Sequence, residues 1–186
     1  MMRRSGLTLI EVLVVLAIIS VMSGMVIPSM VKIHSRSKAT AGVNWIIGAV
    51  NFTRHAAINL RITTTICPST GPALKCTGEW HDGLILFADH NRDAKLNGKD
   101  FLVQRIRNDN FDGTLKWRAF RNRKYLQMTE FGYTNYQNGN FVYCPADGDL
   151  HFARQIVINM QGRARVVHTR NNDGIMIDRR GKPLRC

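Results

Sequence analysis

Apolar residues run almost unbroken from Leu7 to Val31, and the twenty positions Val12–Val31 carry no charge. A helix rising 1.5 Å per residue covers ~30 Å in twenty residues, the thickness of a bilayer's hydrocarbon core. Beyond Val31 the pattern turns periodic. Val43, Ile46, Ile47, Val50 and Ala57 recur at helical spacing, with Arg36, Lys38, Asn44, Asn51 and Arg54 among them. The pattern predicts one helix from about Leu7 to about Asn59, with Pro28 removing one backbone hydrogen bond inside it. After Leu60 the runs become short and strand-like: 62–67, 83–88, 101–107, 114–120, 140–144, 153–160, 163–169 and 175–178. Turn signals separate them, among them Pro68 to Pro72, Asn97-Gly98, Asp112-Gly113, Asn138-Gly139 and Asn172 to Gly174. A long helix whose first half spans a membrane, packed through its second half on an antiparallel β head, is an α+β arrangement.

The apolar run has two ordinary explanations, a secretory signal and a signal anchor. A secretory signal has a shorter apolar core followed by a small-residue cleavage site; the nearest such site, Ser23 to Met25, lies inside the run. Glu11 argues against both, because a carboxylate at membrane depth costs up to ~2.5–3.5 kcal/mol and calls for a partner. Cleavage after Gly6 would supply one, the new amino group of Leu7 on a neighbouring chain. The stretch Arg3-Arg4-Ser5-Gly6-Leu7-Thr8-Leu9-Ile10-Glu11 resembles the prepilin signal of type IV pilins and type II secretion pseudopilins. The resemblance implies a leader of residues 1–6 removed by a prepilin peptidase and methylation of Leu7. It makes Glu11 the fifth mature residue, used in filament assembly, and Pro28 the 22nd; Leu7 stands where the family usually has Phe. It further implies the type IV pilin fold, a transmembrane or filament-core helix over 7–31, and a head over 32–186. In that head the helix continues over about 32–60, and a β-rich region over about 61–186 ends in a basic tail at 162–186.

Arg3 and Arg4 favour a cytoplasmic N-terminus, but Lys32, Arg36 and Lys38 follow the span and offset that bias. Cysteines decide the topology. Cys67, Cys76, Cys144 and Cys186 all lie after the span, and an even number fits two disulfides in an oxidising periplasm. Of the three pairings, Cys67–Cys76 with Cys144–Cys186 is expected: the first closes a short loop and the second ties down the C-terminus. No C-x-x-C or histidine pair at ligand spacing accompanies them, which leaves zinc poorly supported, and no metal site is expected. The expected location is the inner membrane, single-pass with a periplasmic head, and then the extracellular pilus.

Within the head, Trp80-x-x-Gly83-x-x-x-Phe87-x-Asp89 resembles a signature of the GspH/FimT/FimU-type minor pilins. Phe141 to Cys144, Ala153 to Val157 and Gly162-Arg163-Ala164-Arg165 continue the pattern in order. Residues 108–134 match no motif.

Charge changes the picture next. Lys and Arg number 26 against 13 acids, a formal net charge of +13, which favours polyanionic partners. In Gly162-Arg163-Ala164-Arg165, alternate strand residues face one side, so Arg163 and Arg165 stand ~6.6 Å apart and outward, with Ala164 and Val166 inward. Guanidiniums fork onto phosphates better than ammoniums do. From Gly162 to Cys186 there are seven basic and two acidic residues, a net of +5. Asn171, Asn172, Gly174 and Gly181 suggest a mobile, phosphate-accessible tail. This region resembles that of the DNA-binding FimT minor pilins of natural transformation. The resemblance implies sequence-independent DNA binding by Arg163 and Arg165; charge and position add Arg170, Arg179, Arg180 and Lys182. The alternative is a structural minor pilin or pseudopilin, FimU-like or GspH-like, that primes or caps a filament and whose solvated arginines meet acidic neighbours. Other pilins, the prepilin peptidase and the inner membrane are partners under either reading.

A second basic stretch holds Arg105, Arg107, Lys116, Arg118, Arg121, Arg123 and Lys124, with Trp117, Phe120 and Tyr125 interleaved. It reads as a base-stacking platform or as diffuse electrostatic help, although the alternation of Leu115, Trp117 and Ala119 places Trp117 in the core. Asp89-x-Asn91-x-Asp93 with Asp100 looks like a calcium loop, but Ala94 and Asp100 stand where an EF-hand needs Gly and Glu, so a polar turn competes. Six scattered histidines, no nucleophile elbow and no phosphate-cradling loop argue against an enzyme and against a cofactor.

Overall fold

The computed structural model describes residues 8–72, 74–108, 110–178 and 180–186. The chain divides into two compact units between Ser37 and Lys38. Helix α1, Leu9–Leu60, contributes to both and is helical through Pro28. In the first unit the large apolar side chains described between Leu9 and Ile33 stand exposed around the helix, the pattern of a segment whose solvent is lipid or other helices. Its first turn is closed by a capping box that sequence reading did not anticipate. The Glu11 amide donates to the Thr8 hydroxyl at 3.4 Å, and the Thr8 amide donates to Glu11 Oε2 at 3.5 Å.

Among the described residues the second unit holds eight strands: β1 Thr64–Pro68, β2 Gly83–Ala88, β3 Phe101–Arg107, β4 Thr114–Ala119, β5 Leu126–Met128, β6 Gly139–Cys144, β7 Arg154–Ile158 and β8 Ala164–Val167. They form two antiparallel four-stranded sheets, ordered β3-β2-β1-β5 and β4-β6-β7-β8. Two elements depart from the sequence expectation. β5 was not foreseen, since three residues are too few to display a period. The run Ile175–Asp178 makes only isolated bridges, Arg170 to Met176 and Ile177 to Pro183.

The core forms where α1 meets both sheets. Ala39, Val43, Ile46, Val50, Thr53 and Ala57 are buried along one helix face. All but Thr53 share a cluster with Ile66, Leu84 and Leu86 of the first sheet and with Leu115, Phe141 and Ile156 of the second. Small residues let the backbones approach. A Cβ at Gly42 would come within 2.9 Å of the Tyr143 ring. The Tyr143 hydroxyl donates to the Asp112 carbonyl at 2.7 Å, and burial, with the Asp112 and Asp147 charges, pushes it up to about 12.

Asp89 is a buried organising group rather than a loop ligand. Its carboxylate accepts from the Thr65 hydroxyl at 2.6 Å, Gln127 Nε2 at 2.8 Å and the amides of Ala94 and Asp93 at 3.0 and 3.2 Å. It thereby joins β1, β5 and the loop after β2. Asp89→Ala strands all of these donors and should lower stability by about 3 kcal/mol or more, read as a fall in the thermal midpoint with both disulfides intact.

Candidate functional site

The β7–β8 turn presents the paired arginines. The Gly162 amide donates to the Asn159 carbonyl at 3.0 Å, and the Arg163 amide donates to Asn159 Oδ1 at 2.9 Å. Gly162 has φ +70, and a Cβ there would lie 2.5 Å from the Gly132 carbonyl oxygen. Only glycine fits both the left-handed backbone and the close approach. Arg163 and Arg165 are exposed, while Ala164 and Val166 pack on the core. β8 is an edge strand, so the arginines stand at the rim of the second sheet.

Register carries the charge across the outer face. Arg165 pairs with Val157, Val157 with Asn140, and Asn140 with Arg118. Arg118 and Arg165 thus end one row across four strands, ~14 Å apart at ~4.8 Å per strand. An open trough of about 1250 Å³ runs by Arg163 and Arg165, and a second of about 760 Å³ runs by Arg118, Arg180, Lys182 and Arg185. They adjoin at Val157 and Asn159, which line both. Asn140 Oδ1 and Gln155 Oε1 lie buried beside the second trough without a hydrogen-bond partner. Sequence reading missed these two amides, because nothing local in the chain marks them.

The tail corrects an expectation. Instead of a mobile segment it forms two hydrogen-bonded turns folded on the sheet. Asn171 Oδ1 accepts from the Ile175 amide at 2.8 Å, and Asp178 Oδ1 accepts from the Arg180 and Lys182 amides at 2.8 and 3.0 Å. These amides, Lys182 first, hold the Asp178 carboxyl below the usual carboxylate range. Met176 and Leu184 pack on Val142, Cys144 and Ala153, and the Cys144–Cys186 disulfide staples the end. The other disulfide is Cys67–Cys76. The glycines and asparagines read as mobile are turn formers.

The tail cations divide. Arg180 and Lys182 are exposed beside the trough. Arg170 is committed to structure, donating to the carbonyls of His151 and Gly174. Arg179, Gly6 and Leu7, like Arg3 and Arg4, lie outside the described residues.

The second basic stretch is dispersed. Arg105 donates to the Gly71 carbonyl, and Lys116 to the Cys186 carbonyl. Trp117, half-buried, packs on the core with its ring centroid 4.3 Å from that of Phe141. Tyr125 packs in a cluster under the first sheet, with Arg123 over its ring. Asp89, Asp93 and Asp100 bring carboxylate oxygens within 4.8 Å of one another. Each is nevertheless committed to N–H donors: Asp93 to Asn91, Asn97 and Lys95, and Asp100 to His90 and Asn97. The Asn97 bond leads in holding the Asp93 carboxyl low. Such bonding is that of a polar turn. The Trp80 to Asp89 signature is likewise structural: Trp80 stacks edge-on against Phe141, and Phe87 is buried.

Comparison with known proteins adds three findings. The family described as "Type II transport protein GspH" matches residues 43–162, and the "Prokaryotic N-terminal methylation motif" matches residues 1–27. No curated protein sequence matches. Among solved structures, the chain is similar to the type IV minor pilin FimU of Pseudomonas aeruginosa strain PAO1 in two crystal forms. One has a TM-score of 0.50 at 17% identity, covering 71% of this chain and 90% of that one. The other has a TM-score of 0.47 at 17% identity, covering 69% and 91%.

His151 links the loop after β6 to the tail. Its Nδ1 lies 2.6 Å from Asp149 Oδ1 and its Nε2 3.1 Å from the Asp173 carbonyl oxygen. The Asp149 hydrogen bond and charge raise His151 above its ordinary 6.5, and the reciprocal bonds hold Asp149 low. A raised histidine contributes fully below its unfolded value and loses that contribution as pH rises through the folded one. An NMR titration should therefore find His151 above 6.5, and Asp149→Asn should bring it back towards that value.

Proposed function

This chain belongs to the GspH family and carries the type IV pilin fold, and on that premise we propose that its head binds extracellular DNA through backbone phosphates, for DNA uptake. One observation carries the reading. Arg163 and Arg165 stand exposed at the rim of an outer sheet face and form no ion pair among the described residues. Arg180 and Lys182 extend the same face, and Arg179 is added on charge and sequence position alone. Arg170 contributes through its hold on the tail rather than by direct contact. Phosphate contacts of this kind position a polyanion without reading its sequence.

The N-terminal motif and apolar helix fit an inner-membrane-anchored pilin. The leader is 1–6, the membrane and filament segment 7–31, and the periplasmic head 32–186. Prepilin peptidase cuts after Gly6, and Leu7 becomes the methylated terminus. On assembly Glu11 exchanges its capping bonds with Thr8 for the amino group of a neighbouring pilin. A second reading, a structural minor pilin or pseudopilin that primes or caps the filament, has one observation in its favour. The family match ends at Gly162, one residue before the arginine pair.

Duplex binding by the full chain in nonionic detergent, measured across a salt series, separates the two. Each lost phosphate contact shallows the slope of log K against log salt by ~0.9, so Arg163→Gln/Arg165→Gln should weaken binding and reduce the slope by up to ~1.8. Unchanged affinity and slope in a folded variant would leave the structural pilin. Gly6→Glu should block leader removal and filament entry under either reading, seen as retention of the uncut chain in the membrane fraction.

A further inference from the structure

The most exposed aromatic side chains among the described residues gather at one end of the head. Tyr136, Phe131, Phe120 and Tyr133 are 73%, 71%, 58% and 53% exposed, against 44% and 45% for Phe52 and Phe101. Phe120 follows β4 directly, and the other three lie between β5 and β6. β4 and β7 end where β6 and β8 begin, so these aromatics share an end with Met160, which is 52% exposed, and with Arg163.

Hydrogen bonds hold the aromatic loop in place. The Thr134 amide donates to the Met160 carbonyl at 2.8 Å, and the Phe120 amide to the Asn138 carbonyl at 3.3 Å. Arg54 Nε donates to the Gly132 carbonyl at 3.0 Å, and that carbonyl lies against Gly162. Asn135 is tied to Gln127 through backbone and side chain, both at 3.1 Å. Tyr136 sits at φ +55, a region that non-glycine residues seldom adopt. Rings fixed on an anchored loop lose little conformational freedom when something stacks on them.

Cations interleave with the rings. Arg121 lies 5.5 Å over Phe120, Arg118 is exposed on the preceding strand, Arg163 directly precedes β8 and Arg165 is its second residue. The nearest acid in sequence, Glu130, faces Arg92 at 3.7 Å. A second copy of this chain would bring the same +13 charge to the surface. A partner with negative charge and flat apolar faces fits both features, and unpaired nucleotides have both.

We propose that this end of the head is a stacking platform for unpaired bases, so that the protein holds single-stranded DNA more tightly than duplex. The proposal rests on the phosphate-binding reading and extends it from the backbone to the bases. Phe131, Tyr133 and Tyr136 stack bases, while Arg163 and Arg165 hold the adjoining phosphates. The base faces carry no sequence code, so the platform leaves binding sequence-tolerant.

The test uses the full chain in nonionic detergent, with a labelled oligothymidylate and a duplex of equal length. Phe131→Ser/Tyr133→Ser/Tyr136→Asn removes the rings; Asn is chosen at 136 because it tolerates the left-handed backbone. Phe131→Tyr/Tyr133→Phe/Tyr136→Phe keeps them. Circular dichroism and thermal midpoints check that both variants fold. The wild type should prefer the single strand. Removing the rings should weaken single-strand binding by at least about tenfold and leave duplex binding unchanged, and the ring-keeping variant should match the wild type. Arg163→Gln/Arg165→Gln should weaken both forms. Single-strand affinity that survives ring removal, or equal loss on single strand and duplex, overturns the platform and leaves the phosphate reading standing. Absence of binding to either DNA by the wild type overturns both.

Discussion

The buried face of α1 from Ala39 to Ala57 is common to both sheets, and the main core is built around it. Each four-stranded sheet turns an apolar face inward, and burying it needs a partner layer. The helix supplies that layer to both at once. Its small side chains at Ala39, Gly42, Ala49, Ala56 and Ala57 let the strands come close, and the larger Val43, Ile46 and Val50 fill the space between. Asp89 then locks the first sheet to its own loops from inside, and the Trp80–Phe141–Trp117 stack fills the core on the side of the second.

With the inner faces committed to the helix, the charged side chains fall to outer faces and loop ends. The second sheet turns Arg118 and Arg165 outward because Trp117, Ala119, Ala164 and Val166 turn inward. The same alternation exposes Val142 and Cys144 on the outer side, and the tail covers them with Met176 and Leu184. The Cys144–Cys186 bridge fixes that cover and so places Arg180 and Lys182 beside the trough. A tail held in this way presents its cations without first having to be ordered.

Much of this was legible in the chain. The long helix, its buried stripe and seven of the eight strands follow from periods of 3.6 and 2, which are local properties. The outward facing of Arg163 and Arg165 is equally local, as is the turn at Gly162. The methylation motif and the Trp80 to Asp89 pattern carried the family resemblance because short spacings suffice to display them. The reason Gly162 must be glycine was not legible, since its constraint is the Gly132 carbonyl thirty residues away in sequence.

What the sequence determined by itself was the division into an apolar span and a basic β head, the order of the elements, and the positions of the cations. Tertiary structure alone decided which of those residues are available. It committed Arg170 to backbone carbonyls and Lys116 to the C-terminal carbonyl. It also brought Phe120, Phe131, Tyr133 and Tyr136 to one end beside Arg163, from a stretch without a motif. Charge and aromaticity are properties of single residues, whereas exposure and adjacency depend on how distant strands pair, and no local period encodes that pairing.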